Sequence, residues 1–174
     1  MFSLETLNIN LKAITEDFIE SSHILRNEYF RSLKDAQIQD GNVKVTIALR
    51  KAENDTFVLD MSVDGMVIVQ CDRCLDDMEQ VVKSDSTYLV KLGHNPEETD
   101  DTITVDENEG ILRLGWFIYE LIALAIPIKH VHAPGKCNDA MTKKLEELSA
   151  TRSGDEVVEE AVDPRWEKLV KLKK

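Results

Sequence analysis

A strict two-residue alternation leaves the middle of this chain little choice but β structure. Val43, Val45, Ile47 and Leu49 alternate with Lys44, Thr46, Ala48 and Arg50. After the turn cluster Glu53-Asn54-Asp55, Phe57, Leu59, Met61 and Val63 alternate with Val58, Asp60, Ser62 and Asp64. Side chains of a strand point to opposite faces in turn, so each run buries one face and wets the other. Two such runs around a short turn predict a hairpin. Gly65 allows a bulge or bend, and Met66 to Val69 continue the strand. Val81 to Leu92 reads as a further strand, with Val82, Tyr88, Val90 and Leu92 on one face. The centre is therefore expected to be an antiparallel meander, either an open sheet or a partly closed barrel.

The flanks carry weaker signals. Leu4, Leu7, Ile9 and Leu11 suggest extended structure near a sheet edge. Ile24 to Leu33 reads as a short helix with Ile24, Leu25, Phe30 and Leu33 buried. Ile103 and Val105 suggest one short strand inside an acidic stretch, residues 95–109, that holds seven acids and no base. From near Gly110, Ile111, Leu114, Ile118, Leu121, Ile122 and Ala125 follow helical spacing. Leu112, Trp116, Phe117, Tyr119 and Leu124 make the other faces apolar too, which predicts a helix buried in the core. Pro127 ends it. A second helix is expected over Asn138 to Leu148, capped by Asn138 or Asp139. Residues 151–162 read as an acidic flexible linker. Asp163-Pro164 then starts a basic C-terminal helix over 163–174, an acceptor cap followed by proline at the first helical position. The fold class is α+β, with one domain over residues 1–150.

Composition sets the outer bounds. The chain has 174 residues, 43% of them apolar and 31% charged, in the range of soluble globular domains. The first residues lack a basic stretch followed by an apolar one, so no secretory signal is expected. Arg113 and Glu120 interrupt the most apolar stretch, which is short for a membrane span. Three cysteines, a close pair plus one, do not suit a secreted disulfide scaffold and fit a cytoplasmic protein with reduced thiols.

The cysteines carry the chemistry. Cys71-x-x-Cys74 falls where two strands connect, and two thiolates at that spacing on a tight turn can face one ion. After the apolar helix comes Lys129-His130-Val131-His132-Ala133-Pro134-Gly135-Lys136-Cys137. Pro134 and Gly135 favour a turn that could bring His132 and Cys137 to one point. Together these give three thiolates and one imidazole, a structural zinc set without an open position for catalysis. His130 is the alternative imidazole; if the chain is extended there, only one of the two can face the metal. Two other readings stay open. The pair Cys71 and Cys74 could be a redox dithiol, although that motif normally opens a helix in a βαβ unit. The three cysteines could also be small semi-buried residues and nothing more. No glycine-rich phosphate loop, GxSxG elbow or HExxH motif occurs. His23 and His94 read as ordinary surface residues.

These residues also resemble a family. Val69-Gln70-Cys71-Asp72-Arg73-Cys74-Leu75 is similar to the CxRCL signature of the YceD-like large ribosomal RNA subunit accumulation proteins. Leu124-Ala125-Ile126-Pro127, then His132 and Cys137, resemble that family's helix, proline and later ligand pair. Asp163-Pro164-Arg165-Trp166 and Leu169 resemble its closing motif. The resemblance implies a cytoplasmic, non-enzymatic factor needed for 23S ribosomal RNA accumulation and large-subunit assembly, with genes commonly beside one for a large-subunit ribosomal protein. It carries the first cysteine pair onto Cys71 and Cys74 and the later pair onto His132 and Cys137. Many members have two further cysteines in the later region, where this chain has Cys137 alone. The departure is consistent with a three-cysteine, one-histidine site or with a site that has lost its metal.

Charge placement bears on partners. The formal net charge is -12, which argues at first sight against nucleic acid. The acids, however, gather in residues 97–109 and 155–163. Lys129, Lys136, Lys143 and Lys144 collect near the expected metal end, and Arg165, Lys168 and Lys171 in the tail. Either basic group could meet phosphate in precursor 23S rRNA. The overall acidity makes a basic large-subunit ribosomal protein the better first expectation for direct contact. No membrane and no small-molecule substrate is expected.

Overall fold

The structure is a computed structural model and describes residues 4–33, 38, 40–53, 56–94, 97–98 and 101–149. The chain divides into two units, 1–142 and 143–174. Of the second unit only 143–149 are described; they are exposed, and helical as far as Leu148. The expected linker over 151–162 and basic helix over 163–174 lie outside the described residues.

The first unit is α+β. Its frame is three long antiparallel strands: β3 (Gly41–Lys51), β4 (Thr56–Gln70) and β5 (Asp77–Gly93). Val43, Val45, Ile47 and Leu49 of β3 and Phe57, Leu59, Met61 and Val63 of β4 are all buried, so the alternation in the sequence is the burial pattern of the sheet. Pairing runs without a slip from Gly41 opposite Val67 to Lys51 opposite Phe57. It runs equally unbroken from Thr56 opposite Lys91 to Gln70 opposite Asp77. Gly65 therefore makes no bulge. It sits between Val43 and Val82 on the inner face, where its missing side chain lets the backbone of β3 approach closely.

Around this frame the chain departs from the meander. The first edge is β2 (Phe18–Leu25), antiparallel to β3. The helix expected over Ile24 to Leu33 is shortened to α1 (Asn27–Ser32), because Ile24 and Leu25 already belong to β2. Leu25, Phe30 and Leu33 are buried as expected; Ile24 is on the outer face and exposed. Beyond β5 the sheet turns mixed. β7 (Thr102–Asp106) runs parallel to residues 89–93 of β5, and the two-residue β6 (Glu97–Glu98) closes the far edge antiparallel to it. The order β2-β3-β4-β5-β7-β6 has two free edges, so the sheet is open and not a barrel.

The helix signal near Gly110 starts too early. Ile111–Arg113 forms a strand, β8, paired with β1 (Asn8–Asn10) from the N-terminal stretch. Helix α2 then spans Gly115–Leu124 and stops short of Pro127. It packs on β4 and β5, with Ile118, Leu121 and Ile122 buried. Burying a side chain of that size contributes about 1.5–3 kcal/mol. The helix is not covered all round: Trp116 and Leu124 are exposed, and the Trp116 indole N–H donates to Glu120 at 2.6 Å. Beneath its start the buried Tyr29 hydroxyl donates to the Gly115 carbonyl at 2.7 Å, joining α1 to α2. Burial, and then Tyr119 beside it, pushes that hydroxyl well above the ordinary tyrosine range. Helix α3 (Asp139–Leu148) follows, and the Asn138 side chain accepts the N–H groups of Ala140 and Met141 as its cap. Among the described residues no helix is long and apolar enough to cross a membrane.

Candidate metal centre

The long β4–β5 hairpin ends in a tight loop, residues 71–76. Its mouth is closed by the Cys71 N–H to the Asp76 carbonyl at 2.9 Å, and its turn by the Leu75 N–H to the Cys71 carbonyl at 2.9 Å. The turn requires a left-handed residue, and the chain places Leu75 there at φ 63°. For a branched side chain that conformation costs about 1–2 kcal/mol. Cys71 and Cys74 are buried at the two sides of this loop.

The segment after α2 is laced onto the loop by a reciprocal pair. The Asp72 N–H donates to the His130 carbonyl at 3.0 Å, and the His130 N–H donates to Asp72 Oδ2 at 2.8 Å. A turn over Ala133–Lys136, closed by a 3.0 Å backbone hydrogen bond and using Gly135 at φ 77°, folds the segment back. That brings Cys137 against Cys71, sulfur to sulfur at 4.0 Å, while His132 Nδ1 lies 3.3 Å from the Cys74 sulfur. The Asn138 amide donates to Asp76 at 3.2 Å and holds the far end.

Cys71, Cys74, His132 and Cys137 thus converge, with their ligand atoms all within 4.8 Å of one another. A tetrahedral metal with bonds of about 2.3 Å to sulfur and 2.0 Å to nitrogen needs ligand atoms about 3.5–3.8 Å apart. The two measured separations bracket that range, so the donor set fits such an ion with small movement. The polar surroundings fit it too. Burial alone would raise the Cys71 thiol, but N–H groups of Cys74, His132 and Arg73 point at its sulfur and bring it down to about 6. The His132 donor is at 3.4 Å. Backbone N–H groups on a sulfur stabilise thiolate, the form that binds metal. His132 is raised, first by its hydrogen bond to Cys71. Cys137 is raised by burial first and then by the neighbouring sulfurs. None of the three cysteines is in a disulfide.

His130 takes a different place. Its Nδ1 is 3.0 Å from the Pro127 carbonyl and its Nε2 is 3.6 Å from Asp72 Oδ1. It braces the segment that carries His132. Asp72, the other half of that brace, was not legible as a functional residue; its one signal is an acid directly after the first cysteine. The two histidines should therefore separate in mutants. His132→Ala is expected to lower bound metal well below one equivalent, whereas His130→Ala keeps the equivalent and lowers the melting temperature. Elemental analysis beside thermal melts reads both. Equal metal in the two variants would contradict the assignment.

Of the basic residues singled out, Lys129 and Lys136 are exposed in the segment beside the loop, and Lys143 and Lys144 are exposed on α3. The loop end also carries exposed Asp72, Asp76 and Asp139, so the charge there is mixed. Arg165, Lys168 and Lys171 lie outside the described residues.

The family model described as "Large ribosomal RNA subunit accumulation protein YceD" matches residues 59–173. The chain belongs to the YceD family. The match starts within β4 and takes in the whole quartet. Comparison with curated proteins and with solved structures returned no match.

Proposed function

We propose that this YceD-family protein is a non-enzymatic, cytoplasmic factor in large ribosomal subunit biogenesis. It supports accumulation of 23S ribosomal RNA by holding a basic large-subunit ribosomal protein before or during assembly. Zinc, bound by Cys71, Cys74, His132 and Cys137, has a structural role. It ties the β4–β5 hairpin tip to the segment after α2, across a sequence separation of 66 residues between Cys71 and Cys137. The observation that carries this reading is the family match over residues 59–173. The net charge of -12 favours a basic protein as the direct partner and steers it to encounter.

Direct contact with precursor 23S rRNA is the second reading, and Lys129, Lys136, Lys143 and Lys144, with Arg165, Lys168 and Lys171, are the residues for it. The mixed charge around the loop weakens it. A Cys71/Cys74 redox dithiol is weaker still: a third thiol and an imidazole crowd both sulfurs, which is the arrangement of a closed metal site. Depletion should lower 23S relative to 16S rRNA. Tagged protein should retain a large-subunit ribosomal protein after ribonuclease treatment and release it as salt rises. Unchanged rRNA ratios on depletion would overturn the proposal, and loss of the complex with ribonuclease would favour direct RNA contact.

A further inference from the structure

β5 is much longer than its partner on one side. β4 pairs with residues 77–91 of it, but β7 reaches only residues 89–93. Leu89 donates its N–H to the Asp101 carbonyl, on the side away from β4. Backbone groups alternate sides along a strand, and the β4–β5 register is unbroken, so every odd-numbered residue of β5 aims its N–H and C=O the same way. For Glu79, Val81, Lys83, Asp85 and Thr87 that direction is an open edge. Among the described residues their N–H groups have no backbone partner, and the Val81 carbonyl is held only by the neighbouring Gln80 side chain at 2.9 Å. Val81 is 64% exposed beside this edge.

An open strand edge of this length is a template for one more strand. From this we infer that residues 79–87 of β5 are a docking edge for an extended basic segment of a partner protein, which adds as a strand. This rests on the proposed function, which it deepens by locating the contact. The charge on the edge selects the occupant. Asp77, Glu79 and Asp85 are exposed along it, and its one cation, Lys83, is 3.6 Å from Asp64 on β4. A segment with lysine or arginine at alternate positions would set cations opposite those carboxylates. A second copy of the chain is disfavoured. Antiparallel self-pairing centred on Val82 sets Glu79 against Asp85, and centring on Val81 sets Asp77 against Asp85. A phosphate backbone would meet the same acids.

The test uses the full chain and a labelled synthetic peptide of alternating lysine and valine. The expected result is binding with slowed amide exchange at Glu79, Val81, Lys83, Asp85 and Thr87. Val81→Pro removes an N–H from the open edge and none from the β4 ladder, and should weaken the peptide by about tenfold. Glu79→Lys/Asp85→Lys leaves the backbone alone and should weaken it to a similar degree. A peptide of the same sequence with every backbone N–H methylated, equal in charge, cannot donate to the edge and should not bind. The inference is overturned if both variants bind like the wild type, if the N-methylated peptide binds as well, or if a single-stranded RNA oligonucleotide binds and the peptide does not. A wild-type dimer in sedimentation that Val81→Pro abolishes would also overturn it, in favour of self-association. Purified large-subunit ribosomal proteins separate this inference from the functional reading. Capture that both variants retain refutes the edge alone; peptide binding without any such capture refutes the reading and leaves the edge.

Discussion

The Cys74→Ser protein is expected to hold less than about a tenth of an equivalent of zinc and to melt well below the wild type. Elemental analysis of protein purified without added metal, followed by thermal melts with and without a chelator, reads both effects. Three ligands remain in the variant, but an alcohol is a poor replacement for a thiolate. Cys74 is also buried, on the inner side of the quartet's loop. Structural zinc contributes folding free energy directly, on the order of 10 kcal/mol in the smallest zinc domains. Here the sheet has its own core of residues such as Leu59, Ile118 and Ile122. The loss should therefore be regional: residues 71–76 and 127–138 loosen while β3 to β5 keep their pairing. Amide exchange should rise in those two segments and stay slow at Val45 and Met61. Wild-type protein with under a tenth of an equivalent would remove the metal reading, as would a chelator that leaves the melt unchanged.

Regional loss is expected because of where the sequence was informative. The alternation from Val43 to Val63 encodes the frame locally: each residue's face follows from its neighbours, and the inner face then finds α2. The quartet was legible for a related reason. A cysteine pair at a strand connection and a histidine–cysteine pair after a helix are chemically rare, and a Pro-Gly turn between the later two suffices to converge them. The errors arose where one short apolar signal serves two geometries. Ile111 and Leu112 fit a helical stripe as well as a strand, and pairing with Asn8–Asn10, about a hundred residues earlier, decides for the strand. Ile24 and Leu25 look like a helix start for the same reason, until β3 offers them an edge to pair with. The parallel addition of β7 to β5 has no local signature, since a crossover partner is fixed by tertiary packing.

Gly65 is where the backbone of β3 comes closest to β4, and Gly65→Ala should be the most damaging small substitution in the sheet. A Cβ at this position would overlap the Asn42 carbonyl oxygen and come within 2.6 Å of the Val43 Cα, both backbone atoms. No rotamer relieves a clash with backbone, so β3 must move off β4 near Val43 and Gly65. Val43, Val45 and Val63 then lose packing together. The expected cost is about 3 kcal/mol or more, at the upper end of overpacking penalties. It is read as a lowered urea midpoint, with a lower zinc content because Met66 to Gln70 carry the loop that holds Cys71. Gly135→Ala is the control. That glycine has φ 77° with nothing within 4 Å of a new methyl, so only backbone strain of about 1 kcal/mol opposes it. A Gly65→Ala midpoint no lower than that of Gly135→Ala would mean that β3 does not pass this close.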